Sequence, residues 1–447
     1  MSARLLYMWL RTFVVYLFNI LVIRRDHRAI TYAVITIVIS MFTIFKCANS
    51  SRDWYKDMSI NFLIDNSMSV SDATARFDRE VESFMQRWEL TGASFALMRN
   101  DSLLYAKGYG YADVEKKELC DVRHVFRVAS VSKLITATAV MKLVEGGGLS
   151  LTSKLFGEEG ILCDEEFLEY DDKNLERITV EHLLRHTGGF STPIDDPAFA
   201  NYSVARSLGK ELPLALDDMV AYALRNRLRY QPGSHYEYSN LGYMLLTKVV
   251  EKVSGMGYES YVQEAILSPA GCFDMYIGSN YSRDRDRNEV RYYEVKEAEK
   301  VDAHDGSGRL VMKSDGGNNV TLLGGAGGWV ASPVELLRLV ASINKCGVKS
   351  EVLSGESIAT MTYDSSDRCK KPIGWATVNG QEWQRSGSMA GTTAFVKQQR
   401  DGYTWVFVTN SSAWIGYKLT NYISSQITKS IGNVKQWPTQ DLFTIGE

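Results

Sequence analysis

The chain has 447 residues, of which 45% are hydrophobic and 23% are charged, and its formal net charge at pH 7 is -3. This length and composition are typical of a globular protein that is large enough to form two lobes around a cleft. Because the net charge is slightly negative, composition gives no electrostatic reason to expect a nucleic-acid partner.

The N-terminus contains two apolar runs separated by a basic loop. Residues 5–23 are almost entirely apolar. Residues 29–45 carry no charge, and this second run is just long enough to span a bilayer. The loop at 24–28 carries three arginines, and positive residues prefer the cytoplasmic side. We therefore expect residues 1–46 to anchor the chain in the membrane, with the following domain in the periplasm or the extracellular space.

A signal sequence is the alternative interpretation of this region. The arginines would then form its charged start, residues 29–45 its apolar core, and Cys47 a site of lipid attachment. Lys46 fits poorly with the small residue expected before a lipidated cysteine. Both interpretations predict that the rest of the chain is exported.

A polar stretch separates this region from the folded domain. Residues 47–72 show little periodicity and predict a tether, so the domain is expected over residues 73–435. Its sheet lobe would combine residues 73–129 with residues 350–435. Residues 130–349 would form a mostly helical lobe between those two parts.

Local patterns predict the elements of this domain in chain order. Hydrophobic periodicity predicts a helix over residues 73–88, and two strands follow it, joined at Asn100 and Asp101. Near the C-terminus, Asn379-Gly380 and Asp401-Gly402 each predict the turn of a hairpin. An amphipathic helix over residues 414–431 follows. These elements predict an α+β fold, with an antiparallel sheet flanked by helices and an inserted helical lobe.

Ser130 and Lys133 lie where an apolar run leads into a helical pattern. A serine that opens a helix lies beside free backbone N–H groups, and a lysine three residues later returns to the same helix face. Ser207 and Ser342 also precede a lysine at this spacing, but the first lies in a polar stretch and the second near a helix end. Ser130 is therefore the candidate nucleophile, and Lys133 is its candidate base.

Tyr238 and Asn240 lie two positions apart, on a loop that leads into the apolar run at 241–250. Side chains on such a loop can face a common cleft. The phenol could relay a proton, and the carboxamide could hold a substrate amide. A surface loop is the alternative for this motif taken alone.

Arg385, Ser386, Gly387 and Ser388 end a predicted strand of the first hairpin. A glycine in this position lets a ligand approach the backbone closely. The motif predicts that a cation, a hydroxyl and a strand edge line one wall of the pocket.

The three motifs, in this order, resemble the β-lactamase and penicillin-binding-protein family of serine hydrolases, most closely its class C-like branch. The resemblance runs from about residue 77 to about residue 411. Four further phrases support it, at residues 126–129, 183–189, 327–332 and 387–393.

The resemblance implies a role for each motif residue. Ser130 would be the acylated nucleophile and Tyr238 the proton relay, while Lys133 would either accept the serine proton or supply the charge that tunes Tyr238. Asn240 would orient the amide of the acyl side chain. The backbone N–H groups of Ser130 and Ser388 would form the oxyanion hole. No metal or other cofactor is implied.

Arg385 departs from the family pattern, which has lysine or histidine at this position. Arginine keeps its proton but offers a planar fork to a carboxylate. This favours substrates with a free carboxylate, such as D-alanyl peptides or β-lactams. The separate glutamate base of class A enzymes has no counterpart here, which argues against efficient β-lactamase activity.

Other chemistries lack their motifs. His182 and His186 are four residues apart, but no glutamate lies where a zinc protease places one, so a packing role is predicted for both. The sequence also lacks a G-x-S-x-G elbow and a Walker-type phosphate loop.

Two functions are consistent with these patterns. The first is an exported serine hydrolase that forms an acyl-enzyme with a small-molecule or peptide substrate, such as a D-amino-acid peptide of the cell wall, a β-lactam-like amide or an ester. The alternative is a penicillin-binding covalent sensor that is acylated once and hardly turns over.

Overall fold

The computed structural model describes residues 59–190, 196–286, 288–344, 352–363, 367 and 369–445. The expected membrane or signal region, with Cys47 and the first part of the tether, lies outside the described residues. Within the described ranges, no helix is both long enough and apolar enough to cross a membrane.

The strands of the described residues lie mainly near the two ends of the domain. They are β1 Gly92–Arg99, β2 Ser102–Asp113, β3 Glu118–Leu119, β4 Phe126–Arg127, β5 Tyr276–Ile277, β6 Val301–Asp302, β7 Leu310–Val311, β8 Trp329–Ala331, β9 Thr377–Asn379, β10 Glu382–Met389, β11 Thr392–Gln398 and β12 Tyr403–Thr409.

Most of the helices lie between those two groups of strands. They are α1 Ala75–Arg87, α2 Ser132–Glu145, α3 Val180–Leu184, α4 Asn201–Leu208, α5 Leu216–Arg225, α6 Asn240–Ser254, α7 Tyr258–Val262, α8 Ser268–Ala270, α9 Val320–Leu323, α10 Pro333–Ser342, α11 Gly355–Met361 and α12 Leu419–Gly432.

Both ends of the domain build one antiparallel sheet of seven strands. Its order is β3-β2-β1-β12-β11-β10-β9, so the first long strand pairs with the last, and Phe95 lies opposite Phe407. The two predicted hairpins are confirmed as β9-β10 and β11-β12. Strands β1 and β11 are buried along almost their whole length because helices cover both faces of the sheet.

Two helix layers enclose the sheet. Helices α1 and α12 pack on one face, where Phe77, Val81 and Ile423 join the aromatic side chains of the strands in one cluster. Helix α10 packs against the other face, on the side of the inserted helical region. The predicted α+β architecture is confirmed.

The segment that begins at Ser59 differs from the expected tether. Ile60 and Ile64 are buried with 2% and 1% of their surface exposed, and the Ser59 hydroxyl donates a hydrogen bond to Glu335 at 2.9 Å. The segment forms short 3-10 turns rather than an α-helix, so its two apolar residues give no extended helical period.

The folded unit also continues past the expected end at residue 435. Leu442 and Phe443 are buried in the main core, and the backbone N–H of Leu103 donates to the Asp441 carboxylate at 2.8 Å. These contacts tie the C-terminal segment to β2.

Candidate active site

Ser130 lies in a 3-10 turn, Ala129–Val131, that leads directly into α2. The residue before it, Ala129, has φ +45°, a left-handed conformation that costs free energy for a residue with a Cβ atom. The turn is held at its start because the Val128 N–H donates to the Trp329 carbonyl at 2.9 Å. The chain therefore bends sharply just before the candidate nucleophile.

Lys133 follows one turn later and is fully buried. Its Nζ donates to Ser130 Oγ at 3.3 Å, to Asn240 Oδ1 at 2.6 Å and to the Ala326 carbonyl at 2.5 Å. These three acceptors match the three N–H groups of an ammonium. Burial lowers the pKa of Lys133, and the charge of Arg385 adds to that effect, while Tyr238 opposes it.

Tyr238 brings its hydroxyl to 2.7 Å from Ser130 Oγ. It lies on the loop that opens α6, where the Ser239 hydroxyl accepts a hydrogen bond from the N–H of Gly242 and caps the helix. Burial alone would raise the pKa of Tyr238. The positive charges of Lys133 and Arg385 outweigh it, with help from hydrogen bonds, and the net effect is a lowered pKa.

Asn240 lies beside these groups and is engaged at both ends of its carboxamide. Its oxygen accepts from Lys133, and its Nδ2 donates to Asp196 Oδ2 at 2.6 Å. Asp196 is a site residue that the sequence motifs do not indicate, since it belongs to none of them and lies 44 residues before Asn240 in the chain. Only the folded chain brings this carboxylate to the site.

Arg385 also lies at the site, where it is buried against Ser130 and Tyr238. Only 3% of its surface is exposed, its Nε donates to the backbone carbonyl of Ser130 at 2.8 Å, and its Nη2 donates to the Tyr238 hydroxyl at 3.4 Å. Two nitrogens of the guanidinium are thus engaged within the protein, and the fork for a substrate carboxylate stays a prediction. Side chains alternate along β10, and this alternation turns Arg385 inward.

Gly387 lies on the same inward face of β10, against the turn that carries Ser130. A Cβ atom at this position would lie 2.4 Å from the Val128 carbonyl oxygen and 2.6 Å from the Ser130 nitrogen. Glycine is thus required by the close approach of two backbone segments of the protein, and the predicted approach of a ligand to this strand stays a prediction.

Ser386 and Ser388 occupy the alternate positions of β10. Ser386 lines a groove on the opposite face of the sheet together with Phe395 and Thr420, because alternation turns it away from Arg385. The expectation that this hydroxyl shares a wall with the cation is therefore wrong. The oxyanion-hole role of the Ser388 backbone stays a prediction.

The two other serines at the same spacing have structural roles. The Ser207 hydroxyl donates to the Val204 carbonyl at 2.8 Å, and the Ser342 hydroxyl donates to the Leu339 carbonyl at 2.7 Å. Each hydroxyl is bonded within its own helix turn, as serines in helices often are.

His182 and His186 pack separately. His182 completes a capping box with Thr179 at the start of α3, and the His186 ring packs against Tyr238. Within the described residues, no group of three His, Cys, Asp or Glu side chains is placed to hold a metal ion.

A family model and curated relatives match the sequence. The sequence model of the Beta-lactamase family matches residues 77–424. Protein flp of Staphylococcus aureus (strain N315) is 28% identical over 200 residues, which are 45% of this chain and 37% of the relative. The chain thus aligns with well under half of the length of this curated relative.

Solved structures share the fold. The D-amino acid amidase from Ochrobactrum anthropi SV3, complexed with L-phenylalanine amide, has a TM-score of 0.63 and 19% identity, and the match covers 82% of this chain and 100% of that chain. The octameric penicillin-binding protein homologue from Pyrococcus abyssi has a TM-score of 0.58 and 23% identity, with 80% and 78% covered. Since the family model spans more than half of the sequence, the resemblance is confirmed, and the chain belongs to the Beta-lactamase family of serine hydrolases of the β-lactamase and penicillin-binding-protein type.

Proposed function

We propose that the protein is a serine acyl hydrolase that forms an acyl-enzyme at Ser130. The observation that carries the proposal is the cluster in which Ser130 Oγ lies 2.7 Å from the Tyr238 hydroxyl and 3.3 Å from Lys133 Nζ. An unactivated serine is a weak nucleophile, and these are the neighbours that would activate it.

The proposed substrates are amides and esters of the kinds that this family cleaves, with D-amino-acid peptides and amides first among them. The shared fold with a D-amino acid amidase supports this class. We also propose that the domain acts outside the cytoplasm, which the apolar runs and basic loop of the N-terminal region favour.

Tyr238 is the proposed proton acceptor. Its oxygen is nearer to Ser130 Oγ than Lys133 Nζ is, and its pKa is lowered from that of an ordinary tyrosine. Lys133 is the proposed charge that tunes Tyr238, rather than the acceptor of the serine proton. Three acceptors surround its amine and suit an ammonium that stabilises a tyrosinate.

Acylation then proceeds through two proton transfers, both of which involve Tyr238. The Ser130 proton moves to the Tyr238 oxygen as Oγ bonds to the carbonyl carbon of the substrate. When the tetrahedral intermediate collapses, the bond to the leaving nitrogen or oxygen breaks, and Tyr238 returns the proton to that atom. In deacylation, water adds to the acyl carbon and gives a proton to Tyr238. The bond from that carbon to Ser130 Oγ then breaks, Tyr238 returns the proton to Oγ, and the acid product leaves.

The developing oxyanion is proposed to accept hydrogen bonds from the backbone N–H groups of Ser130 and Ser388. The close approach of Gly387 to the Ser130 backbone supports this pairing. One such donor typically contributes about 3 to 4 kcal/mol of transition-state stabilisation.

The test compares the full chain with Ser130→Ala, using a chromogenic β-lactam, a D-alanine p-nitroanilide and a p-nitrophenyl ester. The wild type should release product and show an adduct on Ser130 by intact-mass spectrometry, whereas Ser130→Ala should do neither. Ser207→Ala is the matched control, since it removes the serine of another S-x-x-K sequence, and it should behave as wild type.

Undiminished turnover in Ser130→Ala would contradict the proposal. A burst of one product equivalent per chain, followed by no further release from any of the three substrates, would favour the covalent sensor instead.

A further inference from the structure

His186 contacts the backbone on both sides of Tyr238. Its carbonyl oxygen accepts a hydrogen bond from the Glu237 N–H at 2.8 Å, and its Nδ1 accepts one from the Ser239 N–H at 3.2 Å. The two residues that flank the proposed base are therefore bonded to the same histidine.

The imidazole also supports the phenol ring directly. The ring centroids of His186 and Tyr238 are 4.5 Å apart with planes inclined by 36°, and Tyr243 packs against the imidazole at 5.0 Å. His186 is itself 6% exposed and has φ +59°, a left-handed conformation that is uncommon for residues other than glycine but is adopted more often by histidine, asparagine and aspartate. The backbone conformation therefore limits which residues can replace it.

Burial and the neighbouring positive charges both favour the neutral imidazole. Burial lowers the pKa of His186 well below its usual value, and the positive charges of Arg385 and Lys133 add to that effect. The other titratable side chains packed against the ring are Tyr236, Tyr238 and Tyr243. A neutral imidazole with its proton on Nε2 leaves Nδ1 free to accept from Ser239, whereas a protonated one could not.

We propose that His186 is a positioning residue for acylation. Its imidazole holds the Ser239 N–H and packs against the Tyr238 ring, and its backbone carbonyl holds the Glu237 N–H, so that the phenol stays within hydrogen-bond reach of Ser130. The inference rests on the proposed function of Ser130 and Tyr238. His186 acts through Tyr238 and takes no proton from the substrate.

Two substitutions separate the side-chain acceptor from the backbone. His186→Asn keeps an acceptor close to the position of Nδ1, and asparagine tolerates a left-handed backbone. His186→Gly tolerates the same backbone and keeps the carbonyl bond to Glu237 but has no side-chain acceptor. His235→Gly is the control, because His235 is an exposed histidine that stacks on Tyr230.

Acylation of the full chain is measured as kcat/KM for the best substrate of the wild type, over a range of pH, together with the thermal unfolding midpoint of each variant. His186→Gly should lose about 10- to 100-fold in kcat/KM, since small displacements of a catalytic group can cost that much. Its basic limb should move to higher pH, because water admitted beside Lys133 relieves the burial that lowers the Lys133 pKa, and the ammonium then persists to higher pH. His186→Asn should recover most of the rate, and His235→Gly should match the wild type.

Two results would overturn the inference while the wild type remains active. One is a folded His186→Gly variant with the wild-type rate and pH profile. The other is a folded His186→Asn variant that is as slow as His186→Gly, because the acceptor would then be irrelevant. A wild type that never acylates Ser130 would instead contradict the proposed function.

Discussion

Position 387 shows at the residue scale how the site depends on the absence of a side chain. Strand β10 passes so close to the turn at Ser130 that a Cβ atom would meet backbone atoms of Val128 and Ser130 well inside contact distance. Backbone atoms cannot rotate away as a flexible side chain can, so the strand or the turn would have to move. The nucleophile and the proposed oxyanion donors lie on those two segments.

Gly387→Ala is therefore expected to reduce kcat/KM by about 100-fold, a loss typical of an ångström-scale displacement of catalytic groups. Steady-state kinetics on the ester substrate check it. Gly432→Ala is the matched control, since no atom lies within 4 Å of its added Cβ, and it should retain wild-type kinetics. Equal rates in the two variants would show that the strand can retreat without disturbing Ser130.

Within single elements, the start of α10 holds a buried carboxyl group that binds the segment beginning at Ser59. Glu335 accepts hydrogen bonds from the Ser59 hydroxyl and from the backbone N–H groups of Phe273 and Asp274 at 2.8 to 3.1 Å. Burial raises the pKa of Glu335 to about 8, and the neighbouring Asp274 adds to that effect. The segment at Ser59 is thus joined to the domain by an acid that keeps its proton at neutral pH.

This raised pKa predicts a pH-dependent stability. Between pH 4.5 and about pH 8 the unfolded chain releases the Glu335 proton while the folded chain retains it, so the free energy of unfolding should fall as pH rises through that window. Between pH 5 and pH 8, the unfolding midpoint of Glu335→Gln should fall less than that of the wild type, with a difference of about 2 °C or more. Thermal unfolding followed by circular dichroism measures it.

Glu356→Gln provides the control, because Glu356 is an exposed glutamate near the start of α11. Its variant should keep the pH dependence of the wild type. If Glu335→Gln also keeps the pH dependence of the wild type, the Glu335 carboxyl is not the cause of the pH-dependent stability.

At the scale of the whole molecule, the proposed location outside the cytoplasm depends on residues 1–46. The full chain should sediment with membranes, and protease added to intact cells should cleave the domain, because the basic loop favours the cytoplasmic side. Deletion of residues 29–45 should leave the domain inside cells and protected. Recovery of the full chain in the cytosol would contradict the proposal.

The local elements were predictable because their signals are local. Alternation and turn residues predict the two C-terminal hairpins, since the backbone of Asn379-Gly380 and Asp401-Gly402 itself favours a turn. The segment at Ile60 and Ile64 was missed for the converse reason. Its burial comes from contacts with distant parts of the chain, and short 3-10 turns leave no extended period in the sequence.

The α+β architecture and the candidate nucleophile, lysine and tyrosine could be predicted from the sequence, because each of them rests on a short pattern with its own chemistry. The way in which these groups face one another comes from the folded chain. Folding placed Asp196 beside Asn240, turned Arg385 inward and set His186 against Tyr238. These contacts join residues far apart in the chain, so their geometry follows from packing and strand alternation, which local sequence patterns do not encode.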